Sequence, residues 1–280
     1  MSDEDRSYQS SRIGSDTPSI IDNERSDGAP SDYTRFNLRF LFAIVAVLAC
    51  VIGLAAELTR RAAKQRQRDQ ISRSLDRLGE LFQFYENPPG LPMKRTWPPR
   101  VASDDNGHAL YSWRLRLIAE SILSTDEIAI GPNYSSAWDF AANVRYSNYE
   151  ANFFRAGSDD GSKTTRIYAV AGVDTAFDDA AALPYAELPP NLIVLTEIAD
   201  SKTHWMQPGD YDVATLLAAT GRLGDTVKGL LPDRIHVLFA DGEVWALAPD
   251  TPIDAVKPFF TITGAKDASR EETLSKYRVD

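Results

Sequence analysis

Residues Phe40 to Ala56 read Phe-Leu-Phe-Ala-Ile-Val-Ala-Val-Leu-Ala-Cys-Val-Ile-Gly-Leu-Ala-Ala and carry no charge. As an α-helix, these seventeen residues reach ~26 Å, near the lower limit for a bilayer core. Leu38 lengthens the run, and Arg39 can turn its guanidinium back to the headgroups. The stretch is apolar all round, which does not suit a helix with one face on a soluble core. A transmembrane helix over residues 38–56 is therefore expected. A cleaved signal peptide is the rival, weakened by the polar, acidic chain of residues 1–34 ahead of the run.

Those first 34 residues are rich in Ser, Asp, Gly and Pro and poor in large apolar side chains. They cannot bury enough surface to offset their ordering entropy, and a disordered tail is expected. The formal net charge of -10 argues against a nucleic-acid partner, which would require clustered Lys and Arg. The one basic cluster, Arg60, Arg61, Lys64, Arg66 and Arg68, directly follows the apolar run and suits a lipid headgroup. Against Arg25, Arg35 and Arg39 on the other side, it leans toward a cytoplasmic C-terminal part. Cys50 is the single cysteine, so an intramolecular disulfide and a Cys-rich metal site are excluded.

The helix is expected to continue past the membrane. No proline occurs from Glu57 to Glu86, and Ile71, Leu75, Leu78, Phe82 and Tyr85 fall on one helical face. Asn87-Pro88-Pro89-Gly90 then ends it. A stripe of this kind must pack on something, and a folded domain over residues 57–268 is the expected partner. Ser112 to Leu123 reads as a second amphipathic helix, and Ala137 to Val144 as a short third one. Arg166 to Gly172 and Leu192 to Glu197 read as strands. His236 to Ala240 and Glu243 to Leu247 read as a hairpin around Asp241-Gly242. A type I′ turn there pairs Leu238 with Trp245 and Phe239 with Val244. With large apolar groups on both faces, the hairpin is expected inside a sheet, away from its edge. Val213 to Ala219 suits a helix with Asp212 as N-cap. Residues 269–280 are expected as a tail. The fold class is α+β, a long N-terminal helix on an antiparallel sheet.

Several of these pieces occur in the order found in a known family. They are Tyr111-Ser-Trp-Arg-Leu-Arg-Leu-Ile-Ala-Glu120 with Trp113, then Trp138-Asp139, then Tyr168-Ala-Val-Ala-Gly-Val-Asp-Thr-Ala-Phe177. Leu192 to Glu197, Trp205 to Asp210 and His236 to Leu247 follow, the last with His236, Phe239, Asp241 and Gly242, and Phe260 to Gly264 closes the series. In this the chain resembles the planctomycete DUF1559 proteins, the family of the prepilin-type processing-associated H-X9-DG domain. The resemblance implies a pilin- or pseudopilin-like architecture and an outward-facing domain. It also implies partners in the cell envelope, either further copies of the chain or secretion- and pilus-like proteins. Two positions depart from the family pattern. Leu231 stands where the family has its histidine, ten residues before Asp241, and the run begins Arg35-Phe-Asn-Leu-Arg-Phe40, with no Gly there and no acidic residue before Glu57.

Chemistry-bearing motifs are sparse. His108, His204 and His236 lack metal-ligand spacing. Asp159-Asp160-Gly161 and Asp178-Asp179 offer oxygen to calcium but do not match an EF-hand. Glu197, Trp205 and Asp210 are the candidates for a pocket with a perturbed carboxylate. No nucleophile elbow or phosphate loop is present. The expected function is that of a non-enzymatic single-pass envelope protein, without cofactor, acting by assembly or protein binding. A membrane-tethered ligand-binding or sensory domain is the alternative, and an enzyme with an unrecognised site the third reading.

Overall fold

The computed structural model describes residues 38–86, 97–121, 131–147, 152–156, 161–180 and 183–279. In chain order the elements are α1 (Leu38–Glu86), β1 (Val101–Ser103), β2 (Ala109–Ser112), α2 (Trp113–Ser121), α3 (Ala141–Ser147), α4 (Asn152–Arg155), β3 (Ile167–Ala171), β4 (Ile193–Glu197) and β5 (Tyr211–Asp212). They continue with α5 (Val213–Ala218), α6 (Leu223–Thr226), β6 (Ile235–Phe239), β7 (Val244–Leu247), α7 (Ile253–Val256), α8 (Ile262–Asp267) and α9 (Arg270–Thr273). The polar tail expected over residues 1–34, the Pro-rich stop at 87–90 and Asp159-Asp160 lie outside the described residues.

The chain divides after Ala56 into two units. In the first, the side chains of α1 are exposed on every side: Phe40 63%, Phe42 65%, Ile52 67% and Leu54 63%. A window of mean hydropathy 2.6 with none of its residues buried suits a membrane span or a signal sequence. In the second unit, α1 buries one stripe. Ile71, Leu75 and Leu78 are fully enclosed, and Phe82 and Tyr85 nearly so. Each such burial stabilises by about 1.5–3 kcal/mol.

The stripe packs on a mostly antiparallel five-stranded sheet of order β5-β3-β4-β6-β7. Only the β3–β5 pair is parallel. Strand alternation divides the side chains between two cores. Ala169, Val194 and Leu238 join the α1 stripe, with Trp113, Leu115, Leu117 and Ile118 of α2. Val170, Ile193, Val237, Phe239 and Trp245 point the other way, toward α5, α6, α7 and the Phe259-Phe260 segment. Phe82 fastens α1 to the first core by stacking on Trp97 at 4.1 Å and Trp113 at 5.5 Å between ring centroids. Asp212 caps α5 as expected, its carboxylate accepting the Thr215 N–H at 3.0 Å.

Three expectations need correction. The β6–β7 register pairs Leu238 with Val244 and Val237 with Trp245, one residue away from the predicted pairing. The reason lies in the turn. Gly242 N–H donates to the Phe239 carbonyl, and of the turn residues only Gly242, at φ 90°, is left-handed. This is a type I turn followed by a left-handed glycine, a three-residue loop, whereas a type I′ turn needs two positive φ angles. Second, β6 is interior but β7 is the last strand of the sheet. Its free edge is covered by the C-terminal segment: Ala248 N–H donates to Tyr277 O, and Val279 N–H to Ala246 O. The last residues thus belong to the fold, where a tail was expected. Third, the short third helix begins at Ala141, so Trp138 and Asp139 precede it.

The β1–β2 hairpin was not anticipated. Asp104-Asp-Asn-Gly107 is its signal: Asp104 accepts the N–H groups of Asn106 and His108, and Gly107 has φ 81°.

Candidate functional site

Glu197 ends β4, and His236 lies beside it on β6. Both are buried. Glu197 Oε1 accepts the His236 backbone N–H at 3.1 Å, and Oε2 lies 3.4 Å from His236 Nδ1. Gly229 makes room for this pair, since a Cβ there would sit 3.0 Å from Glu197 Oε1 and 2.5 Å from the Arg234 carbonyl oxygen.

His236 also lines a half-open cavity of about 190 Å³. Arg68 and Asp69 of α1, Arg234, Arg278 and the apolar side chains of β7 complete its wall. Beside it, Asp233 receives Lys64 at 3.1 Å and Arg68 at 2.6 Å. Partial burial pushes the Asp233 carboxyl up, but the bonds from Lys64 and Arg68 prevail and hold it below its ordinary value.

Asp210 lies in a second, separate cluster. Its Oδ1 accepts from Arg114 Nη2 at 2.6 Å, from Trp113 Nε1 at 3.1 Å and from Ala169 N–H at 2.9 Å. The Arg114 side chain is wholly buried, donates also to the carbonyls of Ile167 and Gly209, and lies over the Trp113 ring. Burial pushes the Asp210 carboxyl up and the Arg114 guanidinium down, and their mutual attraction opposes both shifts. Nothing local in the sequence marks Arg114 as a core residue. Its position in an amphipathic helix suggested the polar face, yet α2 is enclosed on nearly every side.

Trp205 belongs to a third group. It stacks on Phe154 at 6.0 Å and on His204 at 6.2 Å, and His204 stacks in turn on Trp138 at 4.7 Å. Met206 N–H donates to His204 Nδ1 at 3.2 Å. Asp139, next to Trp138, is exposed. Glu197, Trp205 and Asp210 therefore take separate partners, and the described cavity beside His236 is lined by other residues.

At the hairpin tip, Arg270 of α9 grips Asp241 through two bonds, of 3.0 and 2.5 Å. Its guanidinium lies 4.7 Å from the Phe239 ring and 5.3 Å from the Trp245 ring. Gly242 sits under α1, where a Cβ on Gly79 would lie 3.5 Å from its Cα. These residues form a clamp that locks the turn to α1 and α9.

Of the calcium candidates, Asp178 accepts the N–H groups of Asp174 and Ala180, and Asp179 pairs with Arg100 at 3.2 Å. Among the described residues, no three His, Cys, Asp or Glu side chains converge as a metal site would require. No known protein family, curated protein or solved structure matches the chain.

Proposed function

We propose that the protein is a non-enzymatic, pilin-like component of a cell envelope, held by residues 38–56 in a bilayer and acting by assembly or protein binding. One observation carries this reading. A single helix changes character along its length, from apolar and exposed on all sides through Ala56 to singly striped and buried against a sheet from Ile71. Exposed apolar surface of that extent calls for a lipid or protein cover. The resemblance to the DUF1559 proteins supports the same reading and favours an extracytoplasmic domain.

Cys50 supplies the test, being the only thiol of the chain and exposed in the apolar run. A bifunctional thiol crosslinker applied to native membranes is expected to give a discrete crosslinked homodimer, the largest product one thiol per chain allows, that vanishes in Cys50→Ser. The chain is expected to resist alkaline extraction, and Leu48→Arg, which costs about 2.5–3.5 kcal/mol of insertion, is expected to release it. A wild-type chain recovered freely soluble, or one that gives only uncrosslinked monomer, defeats the proposal.

A further inference from the structure

We infer that the basic collar of α1, where the helix leaves its apolar run, binds the headgroups of anionic phospholipids through Arg60 and Arg66. This rests on the anchoring reading, since it names the lipid class that a chain held in a bilayer by residues 38–56 selects. The chain as a whole is acidic, with a formal net charge of -10. Yet from Glu57 to Arg68 it sets five cations, Arg60, Arg61, Lys64, Arg66 and Arg68, against the single carboxylate of Glu57.

The fold divides the collar into side chains already engaged and side chains left over. Lys64 and Arg68 reach Asp233 at 3.1 and 2.6 Å, and Arg61 reaches Glu57 at 2.8 Å. Asp69, directly after the collar, accepts from Gln65. Counting Asp233 and Asp69, five cations meet three carboxylates, and the excess lies at Arg60 and Arg66. Both are exposed, and neither side chain takes a partner among the described residues. Position then decides what they reach. At ~1.5 Å of rise per residue, Arg60 stands ~6 Å and Arg66 ~15 Å past Ala56. Every Cβ of a helix tilts toward its N-terminus, so both side chains lean back toward the apolar run. Attraction to a charged surface fades over about 8 Å at physiological ionic strength. Arg60 lies within that distance, and Arg66 approaches it by the length of its side chain.

The sheet is polarised in the same sense. Its register sets Ile167 beside Glu197, and Ile235 beside Leu247, at one end. Asp233, just before Ile235, receives Lys64 and Arg68, so this is the end at which α1 arrives. The loops there carry Arg166, Lys202, Lys228 and Arg234 against Asp200, Asp233 and Asp250, and the backbone N–H groups of Ile198 and Ala199 tie two of these loops together through the carbonyls of Arg166 and Lys228. At the opposite end, where Gly242 meets Gly79, the balance reverses. Asp174, Asp178, Asp179, Asp241 and Glu243 gather there around Arg100 and Arg270. An anionic surface at the entry end therefore attracts the near loops and lies farthest from these carboxylates.

The test reconstitutes the full chain in phosphatidylcholine vesicles and compares spin-labelled phosphatidylglycerol with spin-labelled phosphatidylcholine at the protein boundary. At low salt the anionic lipid is expected to be preferred about fivefold, the share of one basic residue close to a charged surface. In about 1 M salt, where screening acts within about 3 Å, the preference is expected to vanish. Arg60→Gln combined with Arg66→Gln is expected to bring it below about twofold. Asp233→Asn, which releases Lys64 and Arg68, is expected to raise it. Arg77→Gln, in an exposed pair with Glu80 and ~32 Å past Ala56, is expected to leave it unchanged. An inserted chain without preference for the anionic lipid overturns this inference alone, as does a double variant that keeps the full preference while unfolding like wild type. A chain that does not enter neutral vesicles overturns the anchoring reading, and this inference with it.

Discussion

Replacing Asp210 with Ala is expected to destabilise the domain by about 4 kcal/mol. The magnitude comes from what Oδ1 receives. The bond from Arg114 at 2.6 Å is charge-assisted, about 1.5–3 kcal/mol, and those from Trp113 and Ala169 are neutral, about 1 kcal/mol each. The total falls within the roughly 3–5 kcal/mol observed when one partner of a buried ion pair is removed and the other is stranded. In a unit of this size each kcal/mol lowers the midpoint by about 2–4 °C, so a fall of about 8–16 °C is expected. Near-ultraviolet dichroism of the detergent-solubilised chain reads this directly, since Trp113 is in the cluster. The double variant Arg114→Met, Asp210→Leu separates the causes. Both charges carry the cost of burial, so an apolar pair is expected to regain most of the loss. An Asp210→Ala chain within about 1 kcal/mol of wild type would refute the reasoning, because it would mean the stranded guanidinium finds water or another carboxylate.

Three further outcomes follow from the packing. Gly79→Ala is expected to be neutral or stabilising by up to about 1 kcal/mol, since its Cβ meets Gly242 and Leu238 at an ordinary 3.5 Å, whereas Gly79→Leu is expected to cost about 1–3 kcal/mol; both are read by thermal unfolding. Burial, with Lys163 nearby, lowers the His204 pKa from an ordinary 6.5 to about 4. The unfolded chain therefore takes up a proton near pH 6.5 that the folded one refuses until about 4, so this contribution is complete above 6.5 and lost as pH falls toward 4. Denaturant titrations across that window should show a shallower acid loss in His204→Gln than in wild type. Arg270→Ala is expected to cost about 2–3 kcal/mol through its bonds to Asp241, and to raise hydrogen exchange first at the 239–243 turn.

What could be read from the sequence, and what could not, follows the range of the interactions. The stripe of Ile71, Leu75, Leu78, Phe82 and Tyr85 was legible because burial on one helical face leaves a period in the sequence itself. The Asp212 cap was legible because its partner is three residues away. The hairpin at Asp241-Gly242 was placed correctly but paired one residue off. An Asp-Gly step fits both a two-residue and a three-residue loop, and only the conformation of Asp241 separates them. That single step moves Trp245 from Leu238 to Val237 and Val244 from Phe239 to Leu238, and a strand pair apolar on both faces does not fix which register is adopted. The polar clusters were not legible at all. Arg114 and Asp210 are 96 residues apart, and Asp241 and Arg270 are 29 apart. A charged residue in a helical pattern carries no mark of being paired. Sequence reasoning grouped Glu197, Trp205 and Asp210 because they are near in the chain, whereas the sheet sorts them by strand and face: Glu197 onto His236, Asp210 beneath β3, Trp205 among aromatic rings. The three carboxylate clusters each join residues that only the fold brings together, Asp210 to Arg114, Asp241 to Arg270 and Glu197 to the backbone of His236 39 residues away, and no local motif announces any of them.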